Sequence, residues 1–181
     1  MTKLRHVAAA ACLAALCVLP THAAPTVVQA RFRADRDSLA ELDQKLWQPM
    51  MAAYAAINLE GYLAAFAPDA LFAGGDIPSL SPMGEWRAGT ERRFLVRRNE
   101  VGLHRREYRF TERAVYRGWS AERGVLAETD PNETRYFEFH YFARQIDGQW
   151  KITTAYRKLL PREAGAAAFA AAASTGDYER F

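Results

Sequence analysis

Cysteine is nearly absent: Cys12 and Cys17 are the two in 181 residues. Both fall within an N-terminal apolar run, so the chain beyond residue 23 has no thiol for a disulfide, a thiolate nucleophile or a cysteine-bound metal. Histidine is scarce too. Beyond residue 23 there are only His104 and His140, and a zinc site would need both, plus a carboxylate, to meet by folding. The sequence lacks a glycine-rich phosphate loop, a Gly-x-Ser-x-Gly elbow and a His-Glu-x-x-His pair, which removes three familiar mechanisms. Its apolar run Val7–Leu19 spans 13 residues, short of the roughly 20 needed to cross a bilayer. A large excess of one charge is missing as well. Without Lys3 and Arg5 the 24 basic residues become 22, against 21 acidic, so nothing global attracts nucleic acid or an anionic membrane.

What is present is a globular composition: 50% apolar, 12% aromatic and 25% charged, which excludes disorder, collagen and coiled coil. Lys3 and Arg5, the apolar run and Thr21-His22-Ala23 follow the order of an export signal cleaved after Ala23. The expected divisions are a signal peptide at 1–23, a polar lead at 24–36, one folded domain at 37–160 and an Ala-rich tail at 161–181. The expected location is periplasmic or secreted. Nine arginines and four glutamates crowd Arg87–Arg113. They read as a solvated, internally paired surface, with an anion-binding face as the alternative.

Asp37-Ser38 offers an N-cap for a helix carrying Leu39, Leu42, Leu46, Met50 and Tyr54, kinked at Pro49. Asn58 opens a short second helix, and Ala70–Ala73 reads as a strand. A long loop is expected up to Gly89, then a helix capped by Thr90 reaching about Leu103, with Phe94, Leu95 and Val101 inward. Four strands follow, near 106–116, 120–129, 134–146 and 149–159. Short turns, among them Asp147-Gly148, make them antiparallel. Helices first and strands afterwards means an α+β fold. The tail is helix-prone with one large apolar side chain, Phe169, so weak docking is expected.

Phe66-Ala67-Pro68-Asp69-Ala70-Leu71-Phe72 and Asp147-Gly148-Gln149-Trp150-Lys151-Ile152, in this order of elements, resemble the nuclear transport factor 2-like superfamily, and within it the SnoaL-like bacterial proteins. The resemblance spans about residues 37–159. It implies a cone-shaped barrel, with three N-terminal helices packed on a curved, mostly antiparallel sheet. It also implies a pocket between the helices and the concave face, and a homodimer through the sheet. Ketosteroid isomerases share that pattern, but their helix tyrosine falls at Met50 here, their strand-end aspartate at Gly74 and their second acid near His140. Isomerase catalysis is therefore not carried over.

Alternation puts Tyr136, Glu138, His140, Phe142 and Arg144 on one face of the long strand, and the resemblance turns that face toward the pocket. His140, with Glu138 behind it, is then the candidate acid–base pair. Tyr54, Asp76, Tyr156 and Phe142 are the candidate ligand contacts. Trp150, Ile152, Thr154 and Tyr156 are expected to share a face of the last strand. The leading expectation is an exported domain binding a small, largely apolar organic ligand, with no metal, no cofactor and no nucleic-acid partner. The alternatives are a cofactor-free lyase, isomerase or hydratase using His140, and an interaction module without catalysis.

Overall fold

The structure is a computed structural model, and it describes residues 36–74 and 77–179. The expected signal, most of the polar lead and Asp76 lie outside the described residues. Helix α1 (Arg36–Leu42), a π-helical turn (Asp43–Trp47) and α2 (Gln48–Ala55) run on through right-handed dihedrals. Leu39, Leu42, Leu46, Met50 and Tyr54 are all buried, as their spacing requires. Pro49 has no N–H to give, and the wider π turn lies immediately ahead of it, with the Gln48 N–H reaching back to the Asp43 carbonyl. Helix α3 (Leu59–Leu63) is capped by Asn58, whose Oδ1 accepts the Gly61 N–H at 3.0 Å.

The next expectations need correction. Residues 77–82 form a strand, β2 (Ile77–Pro82), and helix α4 runs from Met83 to Val96. β2 is the edge of the sheet, where prolines cost no ladder hydrogen bond. Thr90 is a buried mid-helix residue rather than a cap. Of the residues expected inward, Phe94 is buried, but Leu95 on α4 and Val101 beyond its end are not, being 61% and 62% exposed.

The sheet comprises β1 (Phe66–Gly74), β2, β3 (Arg105–Tyr116), β4 (Trp119–Thr129), β5 (Thr134–Ile146), β6 (Gln149–Leu159) and β7 (Ala173–Ser174). Their order is β2-β1-β6-β5-β4-β3-β7, antiparallel except for β1 beside β6. The sheet curves around the helices without closing. Both central residues of the Arg117-Gly118 and Asp147-Gly148 turns have positive φ, the geometry whose twist matches adjoining strands.

Two bulges decide which side chains point inward. On β3, Phe110 faces Gly124 and Glu112 faces Arg123, leaving Thr111 as the extra residue. Inward positions therefore pass from Arg106, Tyr108 and Phe110 to Arg113 and Val115, not to Ala114 and Tyr116. Gly124 permits this crowding, since a Cβ there would sit 1.9 Å from the Arg109 carbonyl oxygen. On β6 the extra residue is Thr153. Trp150 and Ile152 face the core, but Thr154 and Tyr156 do not follow them: Ala155 and Arg157 take the inward side.

One end of the fold is filled by an aromatic cluster. Trp47 meets Tyr108, Phe110, Phe139 and Tyr141 at centroid distances of 4.8–5.8 Å. Beside them Arg113 bonds Glu122 at 2.6 Å and Asp43 at 2.7 Å, while Trp47 Nε1 donates to Glu122 at 2.8 Å. All three charged groups are buried. Two carboxylates share one guanidinium, and burial pushes the Glu122 carboxyl up.

The tail docks firmly, contrary to expectation. Helix α5 (Arg162–Ala171) lies on the outer face of the sheet, and Gly165 comes so close that a Cβ would stand 2.4 Å from that of Tyr136. Phe169 packs on Tyr136 and beneath the Arg109 guanidinium. β7 then adds to β3, and the Gly176 N–H donates to Asp43 Oδ2 at 3.0 Å. Small side chains allow this close approach, so backbone proximity at Gly165 supplements the packing of Phe169.

Candidate functional site

At the wide end the cone stays open. Between α4 and the concave face lies a cavity of about 340 Å³, floored by Phe72, Trp86, Phe137 and Ala155. Trp86 stacks flat on Phe72 at 4.0 Å, which sets the apolar wall. Five arginines line the remainder: Arg93 and Arg97 from α4, Arg106 from β3, Arg135 from β5 and Arg157 from β6. Glu128, on β4, is the one carboxylate in the described lining.

Each group has an identifiable support. Arg106 is buried and donates through Nε and Nη2 to Glu128 Oε2, at 2.8 and 2.5 Å. Its Nη1 donates to the Tyr62 hydroxyl, and its guanidinium lies 4.1 Å from the Tyr54 ring centroid. Arg135 reaches Glu128 Oε1 at 3.3 Å. Arg97 donates to the Tyr54 hydroxyl at 2.7 Å, and Arg93 to the Thr90 hydroxyl at 3.0 Å. Among the described residues, no carboxylate lies within 4.0 Å of Arg93, Arg97 or Arg157, while Arg106 and Arg135 share Glu128 and Arg135 also reaches Asp130 at 3.6 Å and Glu133 at 3.5 Å.

The electrostatics follow from this count. Burial opposes ionisation of Glu128, but Arg106, Arg157 and Arg135 outweigh it and hold the carboxyl down at about 2. Burial, then the repulsion of Arg106 and Arg157, lowers the Arg93 guanidinium below the usual arginine range. Five cations thus border a partly apolar hollow, with Glu128 the one carboxylate of its described lining and Asp130 and Glu133 partnering Arg135 from beyond it.

The residues expected from the sequence are distributed otherwise. His140 and Glu138 do lie together, at 3.0 Å, and the hydrogen bond from His140 lowers the Glu138 carboxyl. They are half-exposed on the outer face, because Phe139 and Tyr141 take the inward positions of β5. This corrects the expected orientation: His140 does not look into the cone. Tyr156 stands edge-on to His140 on that outer face, 5.5 Å between centroids, and Phe142 is 49% exposed there. Of the five that are described, Tyr54 alone serves the cavity, by holding Arg97 and Arg106. The positions matching the isomerase groups do not restore them: Met50 is buried core, and Gly74 has a φ of 92° with no room for a Cβ against the Arg157 carbonyl. His104 is buried beside Glu100. Among the described residues, no group of three His, Cys, Asp or Glu side chains could hold a metal.

Arg93, Arg97 and Arg106 fall in the stretch whose alternative reading is an anion-binding face, but none of the five arginines is among the candidate site residues. Two signals pointed to them. Arg106 alternates with Tyr108 and Phe110, and Arg135 with Phe137, Phe139 and Tyr141, so each stands on an apolar face. Arg157 carried no such signal, since only the bulge at Thr153 turns it inward.

An open curved sheet wrapped on one side around N-terminal helices, with a cavity at its wide end, is the architecture of the cone-shaped α+β folds. Comparison of structures specifies it further: the fold is NTF2-like. Similar structures include an NTF2-like protein from Pseudomonas putida KT2440, with a TM-score of 0.56 and 11% identity over 74% of this chain and 94% of that one. An NTF-2 like protein from Shewanella oneidensis MR-1 gives 0.55, at 13% identity over 64% and 94%. A ketosteroid isomerase-like protein from Erwinia carotovora atroseptica gives 0.51, at 12% identity over 70% and 99%. No family model and no curated protein sequence matches the chain.

Proposed function

We propose that this chain binds a small organic anion in the open end of the cone, an apolar body against Trp86, Phe72 and Phe137 with a carboxylate or phosphate-type head among the arginines. The observation that carries this reading is the lining itself: five arginines and one carboxylate around one cavity. Half-buried guanidinium groups repel one another and are poorly hydrated. An anion that enters removes both penalties, and planar guanidinium groups suit forked, two-oxygen acceptors. Binding is favoured over acid–base chemistry because Glu128, ionised down to about pH 2, does not accept a proton near neutrality. The expected ligand therefore changes from largely apolar to amphiphilic and anionic.

The test is calorimetry with matched sets of compounds: aromatic and aliphatic carboxylates and phosphates, against their neutral amides and alcohols. Anions should bind at least about tenfold more tightly than the neutral isosteres, a preference worth about 1.4 kcal/mol. Arg157→Ala should abolish most of it. Equal affinity for the neutral compounds would remove this reading.

The outer face carries a second proposal. Tyr116, Trp119 and Phe142 are 53%, 56% and 49% exposed there, beyond the area covered by α5, and we propose that this face pairs with a second copy of the chain. Export remains a proposal resting on the N-terminal pattern alone. Amino-terminal sequencing of the exported protein should begin at Ala24.

A further inference from the structure

Among the described residues, four of the ten exposed large apolar side chains fall within nine positions: Leu95 at 61%, Val96 at 80%, Val101 at 62% and Leu103 at 56%. They occupy the C-terminal end of α4 and the turn that follows. That turn is fastened to the end of α2 by the Gly102 N–H, which donates to the Ala55 carbonyl at 2.9 Å. Leu95 and Val101 join Ile57 and Leu59 in lining an open apolar groove, rimmed by Arg92 and Arg98. Its one acidic member, Glu91, is already held by Arg87 at 2.7 Å, and Arg87 also reaches Glu60. Among the described residues, Arg92, Arg98 and Arg105 have no carboxylate within 4.0 Å and are exposed. The nearby Glu100 is taken by His104.

Projecting apolar side chains ringed by unpaired arginines form a surface of definite character. Arginine stems can lie along an apolar boundary while their heads stay with phosphates, and each basic residue near an anionic membrane adds to the attraction. We infer that this end of the molecule docks on the surface of an anionic lipid bilayer, with Leu95, Val96, Val101 and Leu103 entering the headgroup boundary and Arg92 and Arg98 bound to lipid phosphates. Among the described residues no helix is long and apolar enough to cross a membrane, and the contact argued here is peripheral. Charge complementarity selects this occupant. A second copy of the chain would bring the same unpaired arginines face to face. The docking surface is separate from the cone lining, because Arg92 and Arg98 do not border the cavity, so it holds or fails independently of the bound anion.

The experiment is co-sedimentation of the full chain, expressed with its own N-terminus and purified from the soluble fraction. It uses phosphatidylcholine vesicles with and without about one-third phosphatidylglycerol. The wild type should partition at least about tenfold more strongly onto the anionic vesicles and should be released by raised salt. Leu95→Ser/Val101→Ser should lose most of that binding, and Arg92→Gln/Arg98→Gln should lose the preference for anionic lipid. Circular dichroism and calorimetric anion affinity should remain unchanged in both. Equal binding of wild type and both variants would overturn the inference. So would a dimer, dissociated by these substitutions, in sedimentation velocity without vesicles, or binding to an acidic peptide but to neither vesicle.

Discussion

Glu128 is where the charge of the cavity is balanced. Its two oxygens take Arg106 and Arg135 together, and its side chain is 9% exposed, so removing its charge leaves the buried Arg106 guanidinium without a counter-ion, while Arg135 keeps Asp130 and Glu133. Glu128→Gln should cost about 3 kcal/mol at pH 7, measured by urea denaturation. The folded-state value of about 2 lies below the ordinary 4.5. The stabilisation is thus complete above about pH 4.5 and disappears as the pH falls toward about 2. The wild type should lose stability across that interval, while Glu128→Gln should show a flatter acid limb. Tyr54 acts one step removed, as a positioning residue. Tyr54→Phe deletes the acceptor for Arg97 but keeps the ring under Arg106. Anion affinity should fall several-fold with a stability change of about 1 kcal/mol. If affinity and stability instead fell together by several kcal/mol, the hydroxyl would be structural.

Elements set the direction in which these residues point. The β3 bulge puts Arg113 in the buried triad with Asp43 and Glu122, and it needs the missing side chain of Gly124. Gly124→Ala should destabilise the fold by about 3 kcal/mol, read as a lowered urea midpoint with an unchanged slope. α5 and β7 form a second such device, covering Tyr136 and tying the tail to Asp43. Truncation after Leu160 should leave Asp43 short of a donor, uncover the β3 edge and lower Tm by about 10 °C. A truncated chain melting with the wild type would show that the tail is merely draped. Turns and strands were readable at this scale from alternation and from Arg117-Gly118 and Asp147-Gly148. The start of α4 was not. Pro78 and Pro82 suggest a loop until β2 is known to be an edge, and that is a property of the assembled sheet.

At the scale of the whole molecule, the cone divides into a filled end and an open end. The filled end holds the Trp47 cluster and the buried ion pairs. The open end holds the arginines, and the outer face carries His140 with Trp119 and Phe142. Pairing through that outer face predicts a dimer by sedimentation velocity at tens of micromolar. Trp119→Ser/Phe142→Ser should convert it to monomer without loss of anion binding, and a wild type that is monomeric at such concentrations would exclude the pairing.

By itself the sequence determined the helix-then-strand order, the core face of the first helix, the capping at Asn58 and the two hairpin turns. Each depends on neighbours a few residues away, through helical spacing, alternation or local hydrogen bonds. Alternation also put His140 and Glu138 on one face, yet it assigns residues to faces without saying which face is inside. Only the tertiary structure decided that. Phe139 and Tyr141 outcompeted His140 for the concave side because burying rings against Trp47 is favourable and burying a titratable pair is not. The bulges at Thr111 and Thr153 then brought Arg113 and Arg157 inward, and the meeting of five arginines from four elements became a site only once the sheet had curved.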